Sequence, residues 1–416
     1  MQDLDLSKIK KIFFVGIGGI GISAIARMML LESKEVLGSD IGESEIINEL
    51  KKLGAKIMLG QGAELVPKDV DLIIYSIAVP KYDPNFFKEL QNLNIKILSY
   101  PQMLGLVTKD KYTIAVSGTH GKTTTTAMIA KILIDAQLDP SVIVGSLLKE
   151  SKSNLIMGKS DYFIVEACEY ERSFLNIKPK LLVITNIEAD HLDYYKDIND
   201  IKDAFNQLAL QSENTIRDYT KYLEKVPKLS VPGLHNRMNA AAAYAVADFL
   251  GIDESVIKKA LINFSGTWRR LEKRGETGEG TVIYDDYAHH PTEIKASLEA
   301  LRELYPVGEK KITILFQPHL YSRTKALFDD FTKSFGEADQ ILLLPIYFAR
   351  EDKDESVSSE KLAEAICRNG GKARAFPDFE TAEKAVLALK LGFKDIFVTM
   401  GAGEAYKVAD KAFNLT

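Results

Sequence analysis

Residues 117 to 126, with the sequence SGTHGKTTTT, carry glycines, a lysine and threonines in an order suited to holding nucleotide phosphates. The apolar run at 112–116 before them predicts a strand, and Thr123 onward predicts a helix. The turn between the two would place backbone N–H groups and the positive end of a helix dipole beside the ligand. We expect Lys122 to reach the outer phosphates and Thr123 to offer its hydroxyl to Mg²⁺. The pattern predicts a site for ATP or GTP. Gly118 stands two residues later than the strict motif requires, so a glycine-rich turn that binds no ligand is the alternative.

Two further polar clusters follow strands of the same unit. Glu166 lies in VEACEYERSF, and His191 lies in TNIEADHLDYY. Because α/β domains bind ligands at the carboxyl ends of their strands, both side chains are expected near Thr123. Together the three could hold Mg²⁺, although this ion prefers oxygen ligands to imidazole nitrogen. Taken singly, each residue also fits a solvated surface or a helix cap.

The histidines all stand in segments marked by Gly, Asp, Asn or Pro, which predicts turns. They are His120, His191, His235, His289, His290 and His319. No H-x-x-x-H or C-x-x-C spacing is present, and the two cysteines, Cys168 and Cys367, lie far apart in the sequence. A zinc centre is therefore disfavoured, as is a disulfide framework, and the cysteine usage fits a reducing cytoplasm.

A second glycine motif, Gly16-x-Gly18-x-x-Gly21, directly follows the strand-like KKIFFV. Asp40 comes after a second strand-like piece, as in nucleotide-binding βαβ units. On this motif alone, a nicotinamide-dependent dehydrogenase is an open alternative. The same segment has a basic start and an apolar stretch, as signal peptides do, but its four glycines disfavour export.

The composition is that of a globular protein with small substrates. The chain has 416 residues, 46% apolar and 27% charged, which suits two or three domains. Its 53 basic and 58 acidic residues give a net charge of −5 without long runs of either sign, so nucleic-acid binding is not expected. No stretch is long and apolar enough for membrane insertion, and no protein partner is predicted.

The alternation of strand-like and helical patterns predicts an α/β fold with parallel sheets. We expect three domains, at 1–107, 108–266 and 267–416. Strands are predicted in the first at 11–16, 34–38, 70–77 and 94–98, in the second at 112–116, 140–145, 162–166 and 181–185, and in the third at TVIYDD, KITILF, ILLLPI and DIFVTM. A helix is predicted near 198–212, and the third domain is expected to be a small doubly wound unit.

Across nearly its whole length the chain resembles the ATP-dependent muramyl (Mur) ligases. The resemblance rests on FVGIGGIG, SGTHGKTTTTAM, EACEYERSFL, TNIEADHLDYY, VPGLHNRMNAAAA, the Trp268-Arg269-Arg270 segment, DDYAHHPTE, FQPHLYSRT and Gly401-Ala402-Gly403. It implies a Rossmann-like domain for a UDP-linked substrate, a central ATPase domain of the P-loop type, and a small Rossmann-like C-terminal domain. The implied reaction joins L-alanine to UDP-N-acetylmuramate through an acyl phosphate, with ATP and Mg²⁺, in the synthesis of peptidoglycan precursors.

The resemblance also implies roles for residues of the second and third domains. Lys122 would stabilise the transferring phosphoryl group within a loop formed by Gly118, Thr119, His120, Gly121, Thr123 and Thr124. Contacts to the nucleotide are implied for His235, Asn236 and Asn239, and Mg²⁺ ligation for Thr123, Glu166 and His191. Arg270 and Asp286 would reach ATP on domain closure.

The resemblance also implies which residues bind the UDP group and which receive the alanine and the muramyl carboxylate. The pyrophosphate of the UDP group would lie on Gly16, Gly18, Gly19 and Gly21, with Ser39 and Asp40 near the uridine. His289 and Arg323 would receive the alanine and the muramyl carboxylate.

Three features depart from the family pattern. Only 38 residues separate Asp193 from Pro232, where the family has a longer stretch, so we expect peripheral strands of the central domain to be missing. Leu320 replaces an arginine that often accompanies Arg323, and Glu404-Ala405 differs from the usual pair. Two alternatives stay open: the same chemistry with another amino acid or a peptide, and a UDP-muramyl-binding or regulatory homologue with little turnover.

Overall fold

The computed structural model describes residues 4–148, 153–348 and 351–415. Within them the chain forms three consecutive sheets, of five, six and six strands, each flanked by helices. The predicted α/β class with three domains is confirmed.

The first sheet has the strand order β3-β2-β1-β4-β5, and all its neighbours are parallel. Its strands are β1 (Lys11–Val15), β2 (Glu35–Asp40), β3 (Lys56–Leu59), β4 (Leu72–Tyr75) and β5 (Lys96–Ser99), and its helices are α1 (Ile20–Leu31), α2 (Glu45–Lys52), α3 (Ala78–Tyr82), α4 (Pro84–Gln91) and α5 (Tyr100–Thr108). Alternate residues of β1 enter two different hydrophobic clusters, with Phe14 in one and Phe13 in the other. The apolar run around β1 is continuous because both faces of the strand are covered.

The second sheet carries the SGTHGKT loop after its central strand. Its order is β11-β10-β6-β9-β7-β8, and β8 alone pairs antiparallel. The strands are β6 (Tyr112–Ser117), β7 (Ser141–Leu148), β8 (Ser153–Ile156), β9 (Tyr162–Glu166), β10 (Leu181–Ile184) and β11 (Asn214–Ile216), and the helices are α6 (Lys122–Asp135), α7 (Ile198–Leu210), α8 (Leu234–Phe249) and α9 (Glu254–Ile262). A 3₁₀ segment, Tyr170–Asn176, follows β9. Helix α8 is alanine-rich and packs closely on α6, which brings Asn239 of α8 against the loop at Gly121.

The third sheet has the order β12-β13-β17-β14-β15-β16, with only β12 antiparallel to its neighbour. The strands are β12 (Glu272–Glu276), β13 (Val282–Asp286), β14 (Lys311–Phe316), β15 (Gln340–Leu343), β16 (Ala373–Ala375) and β17 (Asp395–Met400), and the helices are α10 (Pro291–Leu304), α11 (Tyr321–Ala326), α12 (Phe328–Thr332), α13 (Ser359–Arg368), α14 (Phe379–Ala388) and α15 (Tyr406–Phe413). Ala405 is fully buried before α15, and nothing in the structure explains its difference from the family.

The shortened part of the central domain runs from α7 through the three-residue edge strand β11 and a 3₁₀ turn, Thr220–Tyr222, to α8. It thus passes from the sheet edge to the next helix within about twenty residues. No helix among the described residues is long and apolar enough to span a bilayer.

Candidate active site

The phosphate loop, residues 117–123, joins β6 to α6, and its two glycines adopt backbone conformations that side chains disfavour. Gly118 has φ of +138° and Gly121 has φ of +82°. A Cβ atom at Gly118 would lie 2.0 Å from Thr185 Oγ1, and one at Gly121 would lie 2.2 Å from Asn239 Oδ1. The tight turn therefore depends on glycine at both positions.

The loop backbone is held by the segment that follows β10. The N–H of Thr119 donates to Asn186 O at 3.0 Å, and the N–H of His120 donates to Asn186 Oδ1 at 2.9 Å. The Thr185 hydroxyl bonds to His120 O at 2.6 Å. The loop is thus held by the segment that follows its neighbouring strand.

Lys122 is folded back into the loop and paired with Glu169. Its Nζ donates to Gly118 O at 2.5 Å, to Thr119 O at 3.0 Å and to Glu169 Oε1 at 3.0 Å. Burial works against the charged form, but the Glu169 carboxylate raises the pKa of Lys122, so the ammonium stays charged. Glu169 was missed by the sequence analysis, although it stands three residues after Glu166 in the same polar cluster.

Side-chain oxygen atoms of Thr123 and Glu166 meet at the loop. The Thr123 hydroxyl donates to Glu166 Oε1 at 3.1 Å, while Glu166 Oε2 accepts the N–H of Gly145 at 2.7 Å. Glu169 is buried, and its Oε2 lies 2.9 Å from Lys122 Nζ, so this carboxylate is already paired with the lysine. A hydroxyl and a carboxylate are ligand types that Mg²⁺ prefers, so Thr123 and Glu166 fit that ion. His191 joins the group through Glu169, with 3.7 Å between its Nε2 and Glu169 Oε1.

A cavity of about 240 Å³ opens beside the loop, between the central and third domains. Six of the predicted nucleotide-contacting residues line it from the central domain: His120, Gly121, Thr124, His235, Asn236 and Asn239. The Asn236 amide donates to Pro232 O at 2.7 Å, which fixes its orientation. Burial lowers the pKa of His235 to about 4, so its imidazole is neutral at physiological pH.

Arg270 and Asp286 line the same cavity from the third domain. Arg270 Nη2 donates to the Thr123 hydroxyl at 3.2 Å, across the domain boundary. Asp286 is buried and accepts hydrogen bonds from the Ser297 hydroxyl and from the N–H of Ala288. Burial raises its pKa to about 6. The structure therefore brings Arg270 into contact with the phosphate loop and Asp286 to the cavity beside it.

Glu293, at the start of α10, is the centre of this domain contact and was also missed from sequence. Its Oε1 accepts from His120 Nδ1 at 3.1 Å, and its Oε2 accepts the N–H of His289 at 3.0 Å. Burial alone would lower the pKa of His120, but hydrogen bonds to Glu188 and Glu293 raise it to about 9. An imidazolium on the phosphate loop thus faces a carboxylate of the third domain.

His289 is positioned by a carbonyl. Its Nδ1 lies 3.0 Å from Tyr287 O. Because a carbonyl only accepts, Nδ1 carries the proton and Nε2 presents a lone pair. Burial lowers the pKa of His289 to about 4, which keeps the ring neutral.

Arg323, expected to receive a substrate carboxylate, contacts the central domain instead. Its Nε and Nη2 donate to Asp190 Oδ1 at 3.3 and 3.2 Å, and its Nη1 lies 3.3 Å from His319 Nδ1. Burial opposes ionisation of Asp190, but the Arg323 charge holds the pKa of that carboxyl well below its usual range. Leu320 and His191 lie with this pair around a cavity of about 120 Å³.

A cleft of about 640 Å³ lies at the carboxyl end of the first sheet. Its lining includes five of the predicted residues: Gly16, Gly18, Gly19, Ser39 and Asp40. Asp40 Oδ2 accepts the N–H of Gly18 at 2.8 Å, so this carboxylate braces the glycine turn. Gly21 does not line the cleft; it lies in α1, where a Cβ atom would stand 2.7 Å from the Tyr100 ring. Its role here is close packing of helix α1.

Lys81 connects this cleft to the phosphate-loop region. It lies in α3, whose residues Ala78, Val79 and Tyr82 line the cleft. Its Nζ contacts Asp193 Oδ2 at 3.1 Å and also donates to the Tyr170 hydroxyl. Both partners flank His191, whose ring lies 4.8 Å from that of Tyr170. Lys81 therefore joins the helix that borders the cleft to the residues beside His191.

Comparison with known proteins gives matches along the whole chain. Three family models match in order: the Mur ligase family catalytic domain at 11–112, the Mur ligase middle domain at 116–219, and the Mur ligase glutamate ligase domain at 269–403. The chain is 41% identical to the UDP-N-acetylmuramate–L-alanine ligase of Clostridium tetani, covering 97% of this chain and 98% of the relative. It is 40% identical to the enzyme of the same name from Clostridium acetobutylicum, covering 96% and 97%.

Solved structures agree with these matches. The UDP-N-acetylmuramate-alanine ligase of Thermotoga maritima superposes with a TM-score of 0.82 at 28% identity, covering 97% of this chain and 98% of that one. A murein peptide ligase from Psychrobacter arcticus has the same fold, with a TM-score of 0.69 at 21% identity and coverage of 97% and 98%. The alignment with the Clostridium tetani enzyme extends over 454 positions, more than the 416 residues of this chain, so that relative carries segments that are absent here.

Proposed function

The chain belongs to the Mur ligase family, and we propose that it joins L-alanine to UDP-N-acetylmuramate in an ATP-dependent reaction that supplies peptidoglycan precursors in the cytoplasm. The observation that carries the proposal is the convergence of Lys122, Arg270 and His289 around one junction of the central and third domains. The full-length relatives with this activity in their names support the choice of substrates.

The first step activates a poor electrophile. A carboxylate oxygen of UDP-N-acetylmuramate attacks the γ-phosphorus of ATP, the bond to the β-phosphate oxygen breaks, and ADP leaves an acyl phosphate behind. The Lys122 ammonium and the Arg270 guanidinium lie at the loop where negative charge accumulates. Thr123 and Glu166, with His191 as the third ligand that the family resemblance implies, would hold Mg²⁺, which would supply further neutralisation of phosphate charge.

The second step forms the amide. The amine of alanine attacks the acyl carbon, the bond from that carbon to the phosphate oxygen breaks, and inorganic phosphate leaves. The ammonium must first lose a proton, and the neutral His289 has a free Nε2 lone pair to accept it.

The Arg323–Asp190 pair suits the free amino acid. A guanidinium beside a carboxylate is complementary to the carboxylate and ammonium of an α-amino acid. We infer that alanine binds next to this pair and that the residue 1–107 domain holds the UDP group, with Gly16, Gly18 and Gly19 facing the pyrophosphate. Ser39 borders the same cleft, and Asp40 acts there by bracing Gly18.

The test is phosphate release with ATP, Mg²⁺ and UDP-N-acetylmuramate, comparing L-alanine, glycine, L-serine, a peptide and no amino acid. Release that depends on L-alanine, with a product heavier by one alanyl residue in mass spectrometry, is expected. Release that depends on a different amine would shift the substrate assignment. No release, with binding of the UDP-sugar shown separately, would favour a binding or regulatory homologue.

A further inference from the structure

The segment between β11 and α8 contains two buried tyrosines. Tyr219 is 4% exposed and Tyr222 is 7% exposed. This is the segment that bridges the shortened central domain. Their side chains point to different places: Tyr219 lines the nucleotide cavity, whereas the Tyr222 hydroxyl bonds to Asp248 Oδ2 at 2.6 Å.

The Tyr219 hydroxyl is linked to the phosphate loop through one residue. It donates to Thr185 O, and the Thr185 hydroxyl in turn bonds to His120 O at 2.6 Å. Thr185 also closely faces Gly118, where even a Cβ atom would touch its hydroxyl. A shift of Thr185 would therefore move the loop that receives the phosphates.

Tyr219 belongs to the apolar part of the cavity lining. Met238, Leu271, Ala288 and Ala296 are the other apolar lining residues, and they come from both domains. A purine base needs such a surface, since aromatic rings gain most from burial against other rings and aliphatic groups. The polar side of the cavity, at His120 and Gly121, belongs to the phosphate loop.

We propose that Tyr219 completes the ATP site from the bridging segment: its ring forms a wall for the adenine, and its hydroxyl positions the phosphate loop through Thr185. The proposal rests on the proposed function only in taking ATP as the nucleotide. It explains how a central domain with a short connection retains a finished nucleotide cavity.

The test measures the affinity of the full chain for MgATP and MgGTP by calorimetry, without the other substrates. Tyr219→Phe removes the hydroxyl and keeps the ring, and Tyr219→Leu removes both. Tyr222→Phe is the matched control, because it deletes a buried tyrosine hydroxyl from the same segment without touching the cavity. Thermal unfolding of every variant reports the loss of stability separately.

Tyr219→Phe is expected to weaken MgATP about fivefold to tenfold, the effect of losing one buried hydrogen bond, with the ATP-to-GTP ratio unchanged. Tyr219→Leu is expected to weaken MgATP binding further and to reduce the ratio of ATP affinity to GTP affinity. Tyr222→Phe should stay within about twofold of the parent affinity while losing similar thermal stability.

Equal effects of Tyr219→Phe and Tyr222→Phe on MgATP affinity would overturn the positioning role. If Tyr219→Leu left the MgATP affinity and the ATP-to-GTP ratio unchanged, the role of the ring as a wall for the adenine would be overturned. The two proposals can fail separately, because this test measures binding alone. A chain that binds MgATP but shows no alanine-dependent phosphate release would refute the proposed function. The affinities of the Tyr219 variants would still decide the role of Tyr219.

Discussion

Glu293→Gln should uncouple the central and third domains at the active site. The carboxylate accepts from His120 Nδ1 at 3.1 Å and from the N–H of His289 at 3.0 Å, and its side chain is only 15% exposed. Arg270 Nη1 lies 4.0 Å away. The amide of glutamine has nearly the same shape but no charge, so the substitution removes the electrostatic part of these contacts and little packing.

The magnitude follows from the two hydrogen bonds. A hydrogen bond to a charged group contributes about 1.5–3 kcal/mol, and an amide oxygen retains part of this. Glu293→Gln should therefore destabilise the closed arrangement of the two domains by about 2–4 kcal/mol. At about 1.4 kcal/mol per factor of ten, kcat/KM for alanine-dependent phosphate release should fall roughly 30-fold to 1,000-fold.

Glu303→Gln is the matched control. Glu303 lies on the same helix and also reaches the central domain, accepting the N–H of Gly233 at 3.2 Å, but it is exposed to solvent. Its neutralisation should change kcat/KM less than about threefold. Affinity for UDP-N-acetylmuramate should be unchanged in both variants. Equal losses in the two variants, or loss of UDP-sugar binding in Glu293→Gln, would refute the role given to Glu293.

Three further predictions concern the charged groups of the site. Lys122→Ala should abolish phosphate release while UDP-N-acetylmuramate binding, followed by calorimetry, stays largely intact; equal loss of both would contradict the assignment of the two ligands to different domains. Because the pKa of His120 is raised to about 9 in the folded chain, its pairing stabilises the fold fully below about pH 6.5 and is lost as pH rises through 9. Denaturant unfolding from pH 6 to 10 should show this decline, and His120→Gln should flatten it; an identical decline in the variant would be contrary evidence. Arg323→Lys should raise KM for alanine at least about tenfold with KM for ATP unchanged, since lysine cannot reproduce the guanidinium geometry; a selective rise in KM for ATP would contradict this placement.

Much of the fold could be predicted because its central strands are buried on both faces. Continuous apolar runs such as KIFFV and KITILF mark β1 and β14, and both form as expected. The strands missed from sequence, β3, β8, β11, β12 and β16, are three to five residues long and lie at or near sheet edges. Strands of this kind are defined by pairing with a neighbour, which a periodicity argument does not detect.

The candidate site was predictable where one short segment contains both the glycines that form a turn and the side chains that would bind the ligand. The phosphate loop is such a segment, and the structure brings Thr123 and Glu166 into contact. Glu169 and Glu293 were missed, although both stand inside motifs that had been singled out. Their importance arises from contacts with residues 47 and 173 positions away, which only the assembled domains create.

The most direct test of phosphoryl activation follows oxygen atoms. UDP-N-acetylmuramate labelled with ¹⁸O in its carboxyl group is incubated with the chain, ATP, Mg²⁺ and L-alanine, and the released phosphate is analysed by mass spectrometry. If the carboxylate attacks ATP, one labelled oxygen must leave with each phosphate when the amide forms. We expect one ¹⁸O atom per phosphate in the presence of L-alanine and none in Lys122→Ala. Alanine-dependent release of unlabelled phosphate would mean that ATP is hydrolysed by water and that no acyl phosphate forms.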